Sequence, residues 1–456
     1  MSQNRILSNF FQISLHQKIL LIAGPMILSN ITTPLMGLVD TAVLGHMDGT
    51  HYLAGASIAT LIITQVYWVC GFLRMTSTGL SAQAKGNSET SLGSKSLFQG
   101  LLVGLLLAVL LLAFQQKILQ LGLYLANTSA EIETSLTAYF NVRIWGAPAA
   151  IANLALVGWL IGQQKAKSVL LIQVSANLLN VVLNFWFVLG LELDVFGVAL
   201  ATVLAEYFIF IVSLLMAIKA LINPTFDKQW FSLGSLKPVL SLNGNTFLRN
   251  LMLQACIAFL IFKGVGYGSN EAAINAIIMQ FFTLIALGLD GVAFAAEALV
   301  GEKKGQGSQV GIVQVTLHGL VWSTILALVY SVAFGLLGAE ITALLTDQIS
   351  LRQQMEDYML FVVLLPLIAH WCFFFDGIFV GLTRAIAMRN SMVVSAVIIY
   401  FPTFWLLSAY QNQGLWIAML CFMCSRGITL GAILLIFVKR RRWPFEACGH
   451  AISQNT

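Results

Sequence analysis

Residues 18–44 read KILLIAGPMILSNITTPLMGLVDTAVL, and after Lys18 no charged side chain occurs until Asp40. About 20 predominantly apolar residues suffice to cross a hydrocarbon core as a helix. The stretch therefore reads as a membrane span that carries one carboxylate and two prolines, Pro25 and Pro34. Eleven more stretches of the same kind follow, at 52–80, 95–115, 136–161, 168–190, 195–219, 240–263, 271–300, 310–337, 356–382, 390–409 and 414–438. They are continuous and lack the short alternating segments of a membrane barrel, so helices are expected. The fold class predicted is an all-α polytopic membrane protein, with twelve transmembrane helices in two pseudo-symmetric six-helix lobes.

Composition agrees. Apolar residues make up 58% of the 456 and charged ones only 9%, with a mean hydropathy of +0.86. A soluble domain has roughly 25% charged residues. A soluble enzyme, a nucleic-acid binder and a disordered scaffold are excluded. No phosphate loop, His-Glu-x-x-His or nucleophile elbow occurs, so neither catalysis nor a cofactor is expected. Cys421 and Cys424 have redox spacing but lie in an apolar stretch without a His or Cys partner, where cysteine packs as a small hydrophobe. The N-terminus lacks the features of a cleaved signal peptide, so the first helix is expected to stay as an anchor.

The longest connection, 220–239, contains Pro224, Asp227, Lys228, Lys237 and Pro238, and divides the helices six and six. It is read as a cytoplasmic linker between an N-terminal lobe (1–219) and a C-terminal lobe (240–456). Shifting the sequence by 219 places Gly45 on Gly264, Ala54 on Ala273, Lys85 on Lys304 and Gly86 on Gly305. The same shift places Tyr139 on Tyr358, Gly158 on Gly377 and Gly162 on Gly381. One offset held across four helices indicates a duplication. Because six is even, both halves enter from the same side.

Charge sets the orientation. With both termini inside, 17 of the 24 Lys and Arg residues fall on inner loops and tails, among them Arg5 and the run Lys439–Arg442. Only Lys117, Lys263 and Arg352 fall outside, and Arg74, Arg143, Arg249 and Arg426 lie within spans. Positive residues stay on the cytoplasmic side, and the basic tail is expected to rest on anionic lipid headgroups.

Charges within a span are costly and face a partner or a watery cavity. The acidic ones are Asp40, Glu206, Asp290, Glu297 and Asp376. Asp40 has no cation on its own helix beyond Lys18, so it reads either as a proton-exchanging carboxyl or as half of an ion pair with a distant arginine. Asn177, Asn180 and Asn184 lie on one face of the fifth helix, with Gln173 a turn further inward. They can line a hydrophilic cavity beside Asp40 or glue helices together. Thr202 and Glu206 sit one turn apart on the sixth helix, and the fourth supplies Asn153 and Tyr139. Under the 219 shift Asp40 falls on Phe259, Asn180 on Ile399 and Asn184 on Thr403, so the polar site belongs to the first half. In the second half Met279, Phe281, Phe282, Phe373, Phe374 and Phe375 read as core or lipid-facing packing, or else as a greasy binding surface. Asp290 and Asp376 are expected to pair with Arg249 or Arg384. Pro25 and Pro34 allow the first helix to kink upstream of Asp40.

The runs GPMILSNITTPLMGLVDTAVLGH (24–46), LRMTSTGLSAQA (73–84), LDGVAFAAEALVG (289–301) and DGIFVGLTR (376–384) resemble the multidrug and toxic compound extrusion (MATE) family. Within it they look most like its DNA-damage-inducible bacterial branch. The resemblance covers essentially the whole chain. It implies a secondary transporter of the bacterial inner membrane, both termini cytoplasmic, exporting small amphipathic or cationic compounds against a cation. It places the cation site on Asp40, Asn180 and Thr202, with Asn153 close by, and the bending proline of the first helix on Pro25. Close relatives carry an Asp where this chain has Asn184. Loss of that carboxylate favours H⁺ over Na⁺, since hard cations are held by carboxylates; Glu206 is the residue that could restore it. A monomer embedded in lipid, without nucleic acid, is expected. A lipid-linked precursor flippase of a related fold is the alternative, although its cationic central cavity is not evident, and a non-transporting scaffold leaves the one-sided polar site unexplained.

Overall fold

The structure, a computed structural model, describes residues 13–47, 49–221 and 224–440. Arg5, Asp48, Arg441, Arg442 and Cys448 lie outside the described residues. Among those described there is no strand, and twelve helices are long and apolar enough to cross a membrane. In the first half they are α1 (Ile13–Gly45), α2 (Thr50–Asn87), α3 (Ser91–Ala113), α4 (Ala130–Gly162), α5 (Ala166–Gly190) and α6 (Asp194–Ala220). In the second they are α7 (Leu233–Val265), α8 (Ser269–Gly305), α9 (Gln309–Leu345), α10 (Met359–Gly381), α11 (Ala385–Leu406) and α12 (Ser408–Lys439).

Every expected span is present, and several overrun their apolar windows. The helix of α8 continues through Glu302, Lys303 and Lys304, because backbone hydrogen bonding continues where hydropathy stops. For the same reason residues 233–239, read from sequence as linker, are the opening turns of α7, with Pro238 near its start. The connection that remains holds a short 3₁₀ turn, Lys228–Phe231. Short helices at Gln115–Ala126 and Ile349–Glu356 occupy the connections before α4 and α10.

By internal contacts the chain divides into two units, Leu28–Asn243 and Met1–Ile27 with Gly244–Thr456. In the first unit, α2 and α4 meet backbone to backbone. A Cβ on Gly158 would strike the carbonyl of Arg74, and one on Gly162 would meet Thr78 O, Ser81 Cβ at 2.7 Å and Ala82 N at 2.8 Å. In the second unit, α8 and α10 meet in the same way. A Cβ on Gly377 would lie 2.6 Å from Ala293 O, and one on Gly381 would meet Glu297 O, Gly301 N and Val300 Cβ. Each of these partners is related to its counterpart by the same shift of 219 residues. Small residues let membrane helices approach closely, which is where their packing energy comes from.

The duplication also holds at the level of hydrogen bonds. Lys85 Nζ donates to Gln163 O at 3.0 Å, and Lys304 Nζ donates to Leu382 O at 2.7 Å. Gly49 and Gly268 share φ values of 140° and 141°, and Gln164 and Thr383 share 60° and 51°. The turns and the helix-capping lysines are thus retained in both halves.

The second unit has an aromatic core in which Phe281, Phe374, Tyr400, Trp416 and Phe422 are fully buried. Phe375 is buried as well, and Met279, Phe282 and Phe373 pack partly buried against this core. The aromatic recurrence seen in the sequence is therefore mostly packing. Cys421 and Cys424 are free thiols.

Candidate functional site

The unit Leu28–Asn243 draws its polar residues together around Asp40. Asn184 Nδ2 donates to Asp40 Oδ1 at 2.7 Å and to Asn180 Oδ1 at 3.1 Å. Thr202 Oγ1 donates to Asp40 Oδ2 at 3.0 Å and accepts from Asn180 Nδ2 at 3.2 Å. The four side chains close a ring contributed by α1, α5 and α6. Asn180 and Asn184 are fully buried and Asp40 is half-buried. Periodicity explains this placement, since residues four apart on α5 share a face. Turning the Asn184 amide over would set its oxygen against two other oxygens, so the ring fixes its orientation.

Two local features refine the site. Asn184 is the last α-helical residue of α5, which continues as a π-helical turn over Phe185–Gly190. Such turns re-aim side chains at functional positions. The Thr202 hydroxyl also lies 3.2 Å from Val198 O on its own helix, so its single proton has two acceptors within reach. Neither the π turn nor this second acceptor is marked in the sequence.

The remaining sequence candidates fall elsewhere. Asn177 Nδ2 donates to the backbone carbonyl of Thr32 at 2.8 Å, joining α5 to α1 rather than entering the ring. Asn153 Nδ2 donates to the backbone carbonyl of Glu206 at 3.0 Å. The Glu206 carboxylate is taken by Arg143 in a bidentate pair, with Nη1–Oε2 at 2.7 Å and Nη2–Oε1 at 2.6 Å. Glu206 thus supplies no second carboxylate to the ring. Tyr139 is buried one turn before Arg143 on α4. Pro25 lies inside the unbroken helix α1. Among the described residues Asp40 forms no ion pair, so its reading as half of an Arg pair does not hold. The spacings 139/143 and 202/206 could have flagged the Arg143–Glu206 pair. Tyr67 of α2, whose ring centre lies 5.7 Å from the Arg143 guanidinium carbon, carried no signal.

The other unit is built differently at the corresponding positions. Phe259, the counterpart of Asp40, meets Phe404 and Phe401 edge to face, with ring centres 5.0 and 5.2 Å apart. Where the first unit has a polar ring, this one has aromatic packing. One of its buried carboxylates, Asp376, accepts from Arg249 and from Arg426, the latter at 2.5 Å. The expected pairing with Arg249 is present, and Arg426 of α12 rather than Arg384 is the second partner. Among the described residues no three His, Cys, Asp or Glu side chains gather into a metal site. A Na⁺ ion would have to rely on Asp40 with the oxygens of Asn180 and Thr202.

Twelve membrane-spanning helices in a duplicated arrangement, with a carboxylate caged by neutral hydrogen-bond donors in one half, define a polytopic membrane protein of the secondary-transporter type. The MatE family profile matches residues 25–186 and 246–406, one segment in each half. The chain is 38% identical over 427 residues to DNA damage-inducible protein F of Escherichia coli (strain K12), covering 92% of this chain and 91% of that protein. It is 23% identical to a probable multidrug resistance protein NorM of Thermotoga maritima, over 71% of this chain and 70% of that one. The chain therefore belongs to the multidrug and toxic compound extrusion family; it is a multi-pass membrane transporter and not an enzyme. Among solved structures, a eukaryotic MATE transporter superposes with a TM-score of 0.82 at 17% identity, over 93% of this chain and 96% of that one. An outward-facing multidrug resistance MATE transporter also gives 0.82 at 17% identity, over 95% and 97%. At that identity the likeness speaks for the fold alone.

Proposed function

We propose that this protein exports small amphipathic or cationic compounds across the bacterial inner membrane in exchange for H⁺ bound at Asp40. The observation that carries the reading is the Thr202 hydroxyl, which has Asp40 Oδ2 and Val198 O both within reach. With Asp40 ionised, the hydroxyl donates to it. With Asp40 protonated, the acid donates to Thr202 Oγ1 and the hydroxyl turns to Val198 O. A proton is taken up by rotating one hydroxyl, and no buried group loses its partner.

Na⁺ fits this ring less well. An amide N–H of Asn184 points at Asp40 Oδ1, where a hard cation needs an oxygen. Asn180 and Thr202 serve the coupling residue directly. Asn177 ties α5 to α1, Asn153 ties α4 to α6 and Tyr139 joins α4 to Thr60 of α2, and Pro25 gives α1 a point at which to bend. A proton changes transport only by favouring one of two states, and we assign the protonated ring to the state that has released substrate outside. One pH unit supplies about 1.4 kcal/mol and 100 mV about 2.3 kcal/mol per charge. Together they sustain a substrate gradient of roughly a few hundredfold per proton. Both termini are assigned to the cytoplasm, and the functional unit to a monomer in lipid.

Purified protein in proteoliposomes, given a pH gradient or a Na⁺ gradient separately, tests the proposal. Export of a cationic dye driven by the pH gradient alone is expected. Export that follows Na⁺ and ignores pH overturns the proton assignment.

A further inference from the structure

Three formal charges face one another inside the unit Leu28–Asn243: Asp40 on α1, Arg143 on α4 and Glu206 on α6. Arg143 acts electrostatically on Asp40, yet both of its terminal nitrogens are spent on Glu206. The other titratable groups facing the pair are Tyr67 of α2 and Tyr139 of α4, with Cys70 of α2 in turn facing Tyr67. Glu206 lies one helical turn beyond Thr202, the residue that donates to Asp40. The Arg143–Glu206 pair therefore sits about one turn, roughly 5.4 Å along α6, from the coupling ring.

The surroundings are shaped to keep this pair intact. Just after Arg143 the helix tightens into a 3₁₀ turn, Ile144–Gly146. A Cβ on Gly146 would strike Glu206 Oε2 and lie 2.9 Å from Arg143 Nη1, so glycine leaves the space that the pair fills. Asn153 holds the Glu206 backbone from the same helix. Each side chain is only 12% exposed, and the two-pronged geometry is the one in which arginine binds a carboxylate most specifically.

We propose that Glu206 is a positioning residue for coupling: it holds Arg143 as a neutral pair and so withholds the neighbouring cation from Asp40. The inference rests on the reading of Asp40 as the proton carrier. With Glu206 in place, Asp40 is the one charge of the three that varies through the cycle. Without it, Arg143 is a buried cation seeking the next carboxylate. Asp40 is within one turn, and an arginine turned towards it favours its ionised form. The proton would then be taken up only from a more acidic medium.

The test is the pH profile of ΔpH-driven ethidium export by reconstituted full-length protein, read with the amount of inserted protein. Glu206→Gln should move the midpoint to lower pH by about one unit. Glu206→Asp, which keeps the charge, should hold the parental midpoint. Adding Arg143→Gln to Glu206→Gln should return the midpoint to the parental value, whatever the rate. A merely structural pair would lose protein on Glu206→Gln without moving the midpoint, and that outcome overturns the proposal. So does a double variant whose midpoint stays displaced. If Glu206→Gln does not accumulate, the double variant decides. It should be the more abundant and carry the parental midpoint, and a double variant no more abundant than the single one refutes the idea. Failure of the underlying reading looks different: Asp40→Asn would then retain proton-coupled export.

Discussion

Asn184 Nδ2 donates to Asp40 Oδ1 at 2.7 Å, so the residue facing the carboxylate proposed to carry the proton is a neutral donor. Asn184→Asp replaces that N–H with a second carboxylate oxygen at the same contact. Two carboxylates so placed cannot both stay charged unless a proton or a metal cation lies between them. Na⁺-driven dye export is expected to appear, or to rise several-fold, in this variant while the fold persists. Transport driven by separate Na⁺ and H⁺ gradients checks it, and a variant indistinguishable from the parent would show that this contact does not select the ion.

How much of this was legible beforehand depends on the kind of signal. The spans were, because apolar runs report directly on burial in lipid. So was the duplication, since Gly158 and Gly377 are needed where helix backbones touch and cannot drift. Asp40, Asn180, Asn184 and Thr202 were legible as rare polar residues in apolar helices, where each must find a partner. Their partners were harder to assign. Glu206 looked like a second ligand because Thr202 and Glu206 share a face, but it turns to Arg143 on another helix. Asn177 shares the Asn180 face yet spends its amide on the Thr32 carbonyl. The π turn after Asn184 and the start of α7 within the linker depend on backbone geometry, which hydropathy does not encode.

Thr202→Val keeps the shape of the side chain and removes the hydroxyl proposed to serve both protonation states. Asp40 Oδ2 loses its donor and Asn180 Nδ2 loses its acceptor. Thr202→Ser keeps both. Proton-driven export should fall at least tenfold in the valine variant and remain within about threefold of the parent in the serine variant. A tenfold loss corresponds to about 1.4 kcal/mol, comparable with the worth of one buried hydrogen bond. Equal activity in the two variants would rule out the hydroxyl relay.

Gly158→Val and Gly377→Val place branched side chains against the backbones of Arg74 and Ala293. Overpacking of this kind costs roughly 1–3 kcal/mol. Because the two contacts are related by the duplication, both variants should lower the temperature of thermal unfolding in detergent, by similar amounts. Loss of stability at one position only would mean that the two interfaces are not equivalent in energy, despite their shared geometry.

Two carboxylates within the spans should respond oppositely to the same change. In Asp40→Asn the amide oxygen can accept from Asn184, the amide nitrogen can donate to Thr202 Oγ1, and the Thr202 hydroxyl can turn to Val198 O. Every hydrogen bond of the ring is kept, so stability should stay within about 1 kcal/mol of the parent. Coupled export should be lost, because the amide mimics the protonated acid permanently and no ion-driven shift between states remains. Asp376→Asn instead removes the charge that both Arg249 and Arg426 contact. Breaking a buried ion pair costs about 3–5 kcal/mol, since the desolvated guanidiniums lose their counter-charge. Thermal unfolding and dye export measured side by side on both variants settle the assignment. A stable, inactive Asp40→Asn beside a destabilised Asp376→Asn is the expected pair. An unstable Asp40→Asn would return Asp40 to a structural role.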